Sequence, residues 1–124
     1  MAHVVAFVPD LLFGSNVLGA LLAAGHAASL VGELGDVDLS EADVLVVDLT
    51  SDAEDRIALV RAVALEGVPA EGRRRVRTLA FYSHVESNVR ALADAAGFDL
   101  VVPRSRMARE GAALVTRLAS AAGE

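Results

Sequence analysis

The chain has 124 residues, 54% of them hydrophobic and 4% aromatic, with a formal net charge of -6 and no cysteine. That length builds one domain over 1–124 around a single core, and the missing cysteines exclude disulfides, thiolate metal sites and thiol catalysis. The negative charge disfavours phosphate backbones and anionic membranes, which draw affinity from clustered Lys and Arg, and scarce aromatics argue against a stacking platform for single-stranded nucleic acid.

The first apolar run, His3 to Val8, reads as a buried strand and leads through Pro9 and Asp10 into a helix over Leu11 to Ala24 that stops at Gly25. The apolar stretch Val4 to Ala24 is broken by Pro9, Asp10, Gly14 and Asn16 and has no basic lead, so it is neither a signal peptide nor a membrane span. The expected location is cytoplasmic. Ala27 to Val31 is a second strand. Only Gly32 to Ala42 separate it from the third, too few for an ordinary crossover helix, so the second helix is expected to be shortened or missing, with a single turn over Asp38 to Glu41.

The third strand, Asp43 to Val47, ends at Asp48. A helix follows over Asp52 to Glu66, with Ile57, Val60, Val63 and Ala64 on its apolar face. Gly67 to Arg75 is a polar loop, and the basic run Arg73, Arg74, Arg75 and Arg77 reads as solvated. Arg77 to Tyr82 is the fourth strand, followed by Ser83 and a helix over Glu86 to Ala96 closed by Gly97. Asp99 to Val102 is the fifth strand, and the last helix, Ser105 to Ala121, has Met107, Ala112, Leu114, Val115 and Leu118 on its apolar face. Short apolar runs alternating with helical stretches predict an α/β fold, a doubly wound five-stranded parallel sheet in the order 2-1-3-4-5.

In such a sheet the carboxyl ends of the strands share one edge, where ligands bind. Asp10, Asp48 and Ser83 fall on that edge, and Asp10 and Asp48 flank the switch point between the first and third strands. Two carboxylates and a hydroxyl suit a magnesium ion and a phosphoryl group. All eleven basic residues are arginine, so no lysine can serve the site. His84 reads as a surface hydrogen-bonding residue, because no Asp/His triad spacing supports catalysis. Gly14 and Gly19 do not make a dinucleotide fingerprint, and no phosphate-cradling loop with a lysine occurs.

Over essentially its whole length the chain resembles the receiver domain of bacterial response regulators. The resemblance rests on Phe7-Val8-Pro9-Asp10, Ala42 to Leu49, Thr78 to Ser83, Ala91 to Asp99 and Leu100 to Pro103. It implies Asp48 as phosphoacceptor, Asp10 as the second member of a magnesium-holding acidic pair, and Ser83 as the switch hydroxyl. Departures accompany it. Pro9 stands where the first acidic residue would be, Pro103 stands where a lysine would be, and Leu49 to Ala53 lack the usual Pro and Gly. Arg104, next to Pro103, is the candidate substitute cation, since guanidinium binds phosphate oxygens bidentately.

The expected function is therefore a stand-alone, degenerate receiver-like signalling domain that works by binding a protein partner, a kinase or a downstream effector. The alternative is a phosphorylatable response regulator with Asp48 as acceptor and magnesium on Asp10 and Asp48. A third reading is a flavodoxin-like binder of a nucleotide or flavin. Leu11, Leu12 and Phe13 form an apolar cluster at the mouth of the site, and at least one of them marks a contact surface. The Asp99 to Ala121 face, with Arg104, Arg106, Arg109 and Arg117, is the candidate homodimer interface.

Overall fold

The computed structural model describes residues 1–35, 37–66, 75–83 and 87–122. The elements are β1 (His3–Phe7), α1 (Leu11–Ala23), β2 (Ala27–Val31), β3 (Val44–Asp48), α2 (Ala53–Val60), β4 (Arg77–Tyr82), α3 (Ser87–Ala96), β5 (Leu100–Pro103) and α4 (Arg104–Ala122). The five strands form one parallel sheet in the order β2-β1-β3-β4-β5, as the alternation of elements predicts. Among the described residues no helix separates β2 from β3. The chain there makes a turn in which Ala42 N–H donates to the Leu39 carbonyl, so the second helix is missing rather than shortened. The loop 67–74, His84 and the expected helix start at Glu86 lie outside the described residues.

Strand residues alternate between two cores, because successive side chains leave a strand on opposite faces. Val5, Phe7, Leu45, Val47, Ala80 and Tyr82 pack under α2 and α3. Val4, Ala6, Val44, Val46, Leu79 and Phe81 pack under α1 and α4. β3 is buried at every position, as a central strand covered on both faces must be. β2, at the edge, has no buried residue.

One expectation about the long helix is corrected. Ile57, Val60 and Ala64 face inward, but Val63 is 42% exposed. Residues Arg61–Leu65 wind as a π-helix, closed by Glu66 N–H donating to the Arg61 carbonyl. That wider turn brings Ala64, not Val63, back over Val60. Gly25 and Gly97 end α1 and α3 with φ of +90° and +102°, a conformation in which a side chain would be strained.

Candidate functional site

β1 and β3 are register neighbours, so the segments leaving them bring Asp10 and Asp48 to the carboxyl edge. Asp48 pairs with Phe81 across to β4, and Ser83 follows two residues beyond Phe81. The edge therefore carries all three residues singled out in the sequence.

Asp48 is buried, with 3% of its surface exposed, and its carboxylate is already engaged. One oxygen accepts the Thr50 amide at 2.8 Å and the Thr50 hydroxyl. The other lies 3.9 Å from the guanidinium of Arg56. The same guanidinium donates to the Asp48 backbone carbonyl at 2.8 Å and sits 5.5 Å from the centre of the Phe7 ring. Arg56 is thus the cation beside Asp48. The loop that delivers it is strained, since Asp52 at the start of α2 has φ +50° without being glycine. The Asp52 carboxylate lies 4.0 Å from Arg56, and its carbonyl accepts the Arg56 amide.

Asp10 caps α1. One of its oxygens accepts the amides of Leu12 and Phe13 at 3.0 and 3.1 Å, satisfying two donors at the helix start. Its other oxygen lies 3.8 Å from Arg104. Arg104 stacks 4.3 Å above the Phe13 ring, which in turn packs 5.0 Å from the buried ring of Phe81. Arg104 therefore meets Asp10, while the cation at Asp48 comes from α2. Replacing Asp10 with alanine is expected to lower stability by about 1 kcal/mol through loss of the cap, read from the urea midpoint.

Each carboxylate on this edge thus has an arginine beside it, and each arginine is seated on a phenylalanine ring, a pairing worth about 0.5–2 kcal/mol depending on desolvation. Arg56 escaped the sequence reading, which followed the apolar face of its helix. Its signal was local. A cation near the start of a helix opposes the macrodipole, and both Arg56 and Arg104 stand near helix starts at the carboxyl edge.

Magnesium does not suit this donor set. A hard dication needs several free oxygens, and here one oxygen of each aspartate is taken by amide or hydroxyl donors while a guanidinium stands by the other. Among the described residues no group of three or more His, Asp or Glu side chains is placed to hold a metal ion. Three grooves open elsewhere: between α2 and α3, between α1 and α4, and on the β1–β2 face beside residues 38–42. None of these three is lined by Asp10, Asp48, Ser83 or Arg104. No helix among the described residues is long and apolar enough to cross a membrane.

Comparison with known proteins places the fold. No family model matches the chain, and no curated protein is similar to it in sequence. Solved structures do match. A response regulator from Thermotoga maritima superposes with a TM-score of 0.75 at 13% identity, over 97% of this chain and 98% of the other. A response regulator receiver protein from Burkholderia phymatum gives a TM-score of 0.73 at 19% identity, over 97% and 96%. An atypical orphan response regulator, described as revealing a phosphorylation-independent regulatory mechanism, gives 0.71 at 16% identity, over 95% of each chain. The chain has the flavodoxin-like fold of response regulator receiver domains, including orphan and atypical ones.

Proposed function

We propose that the chain is a pseudo-receiver, a signalling domain that recognises a protein partner without accepting a phosphoryl group on Asp48. The observation that carries this reading is the Arg56 guanidinium at Asp48, together with the Thr50 amide and hydroxyl on the opposite carboxylate oxygen. An attacking carboxylate needs a free oxygen and a metal that neutralises the incoming phosphoryl charge. Here one oxygen of Asp48 is hydrogen-bonded by Thr50 and the other stands beside Arg56, the metal donors among the described residues are incomplete, and the first acidic position is Pro9. A fixed internal cation replaces both metal and phosphate as the partner of Asp48. The atypical orphan response regulator of the same fold, described as having a phosphorylation-independent regulatory mechanism, supports this reading. The partner's surface of choice is the α3–β5–α4 face, whose strand β5 is an edge of the sheet.

Intact-mass spectrometry after incubation with acetyl phosphate and magnesium tests the reading, with Asp48→Asn as control. The expected result is an unchanged mass. A labile phosphoryl adduct present in the native chain and lost in the control would instead make Asp48 a working acceptor, with Arg56 or Arg104 as its cation.

A further inference from the structure

The geometry points to a two-fold dimer of this chain in which the β2 edges of two copies pair antiparallel and join the two sheets into one. β2 is the sheet's outer strand on this side, hydrogen-bonded among the described strands to β1 alone, and every one of its residues keeps some exposure. Edge strands are usually protected by lysine, proline, a bulge or a covering element. This one has none of the first two: Ala27–Val31 reads AASLV. The crossover helix that would stand beside it is missing, and the groove left along Ala27, Ala28 and Ser29 is open.

The register follows from the backbone. Ala27 N–H donates to Ala2, and the Val31 carbonyl accepts from Val8, so residues 27, 29 and 31 turn their polar groups toward β1. In a parallel ladder the alternate residues, Ala28 and Leu30, then turn theirs outward. An antiparallel copy centred on Ser29 sets Ala28 of one chain opposite Leu30 of its partner, which is the hydrogen-bonded type of pair, and sets Ser29 opposite itself at a non-hydrogen-bonded position. Every outward N–H and C=O of Ala28 and Leu30 is satisfied at once.

Charge selects a second copy as the occupant. A chain of net charge -6 repels itself through most faces, but Leu11–Ala23 and Ala27–Val31 contain no ionisable residue. Glu33, just past β2, faces Gly25 of the partner in this register, and the two Glu33 residues stand about 27 Å apart along the strands, beyond the screening length of roughly 8–10 Å. On the α1 side, Leu11 and Leu22 are 77% and 52% exposed on one helical stripe. The two-fold sets Leu11 of one copy toward Leu22 of the other, the self-complementarity an isologous interface requires. Asp38 and Glu41 line the groove on the opposite face. By contrast, three of the four arginines of the 99–121 face are engaged within the chain, Arg104 with Asp10, Arg106 with Glu110 and Arg109 with the Ser105 carbonyl.

Sedimentation equilibrium of the full chain over a wide concentration range, in low and high salt, is the test. The expected result is a reversible shift from 12.8 kDa to twice that mass. Ser29→Glu puts two carboxylates face to face on the axis and is expected to weaken association at least about tenfold. Leu22→Glu does the same from a different element, and circular dichroism checks that both variants stay folded. The chain has no cysteine, so Ser29→Cys, with Cα atoms about 4.5 Å apart at such a pair, is expected to oxidise to a covalent dimer faster than Ser51→Cys in the loop after β3. A chain that stays monomeric throughout, a dimer unmoved by Ser29→Glu, or equal crosslinking of the two cysteine variants would overturn the proposal. Capture of an added extended peptide by a monomeric chain would also overturn it.

Discussion

Replacing Arg56 with methionine is expected to lower the unfolding free energy by about 3 kcal/mol, because it leaves the carboxylate of Asp48 buried without its cation. Methionine keeps the length of the stem against Phe7, so the loss reports charge and hydrogen bonding more than packing. The pair is shielded from water on both sides, with 14% of the Arg56 side chain and 4% of the Asp48 side chain exposed, so solvent screening removes little of it. Two contacts disappear together: the charge pairing at 3.9 Å and the donation to the Asp48 carbonyl at 2.8 Å. The second leaves a backbone acceptor short of a partner at the end of the central strand. Asp48→Asn alone should cost less, about 1 kcal/mol, since the amide oxygen still accepts from Thr50. In the Arg56→Met background Asp48→Asn should restore part of the loss, giving a coupling of 1 kcal/mol or more in a double-mutant cycle, on the order seen for groups in direct contact. Urea titrations of the four proteins measure it, provided the slope is the same in each. Additive effects would mean that Arg56 packs against Asp48 without holding its charge, and the reading of a fixed internal cation would fail with it.

How far the sequence carries toward this arrangement depends on the range of the interactions involved. Strand identity and order follow from local apolar runs and from the short spacings between them, so Arg77 to Tyr82 and Ala27 to Val31 appear in the fold with the bounds the sequence assigns. The missing second helix follows from chain length alone. Asp10, Asp48 and Ser83 are legible as edge residues because the carboxyl end of a parallel strand is fixed by direction. What those residues touch is another matter. Whether Asp48 faces a metal or a guanidinium is decided by the path of Leu49 to Asp52, including one left-handed residue, and no periodicity encodes that path. Arg104 offers the same lesson from the other side. Alternation along an extended segment argues that it turns away, but the chain is already helical at Arg104, and the first turn of α4 swings the guanidinium over Phe13. Val63 was misassigned for a related reason, since a helical wheel presumes one pitch and the π-turn changes it.

The second large effect belongs to the opposite end of the sheet. Asp99→Ala is expected to cost about 3 kcal/mol, because one carboxylate there serves four donors on β4 and the segment just before it. The Thr78 amide donates to it at 2.8 Å and the Thr78 hydroxyl at 3.2 Å, while the Asp99 amide donates back to that hydroxyl at 3.0 Å. Arg75 and Arg77 reach its other oxygen at 3.0 and 3.5 Å. Thr78 is fully buried, so its amide and hydroxyl have no water to turn to when the carboxylate is gone. The two arginines are about a third exposed and recover hydration, which is why the loss comes mainly from Thr78 and not from the ion pairs. Asp99→Asn, which keeps an acceptor for the Thr78 amide, should therefore lose only about 1 kcal/mol. Hydrogen exchange separates this from the Arg56 effect: Asp99→Ala should speed exchange at the amino ends of β4 and β5 while leaving the amides after β3 at their native rates. If Asp99→Asn were as damaging as Asp99→Ala, the arginines would be the true support of this corner. Arg75 and Arg77 would then be part of the fold's framework instead of a solvated run.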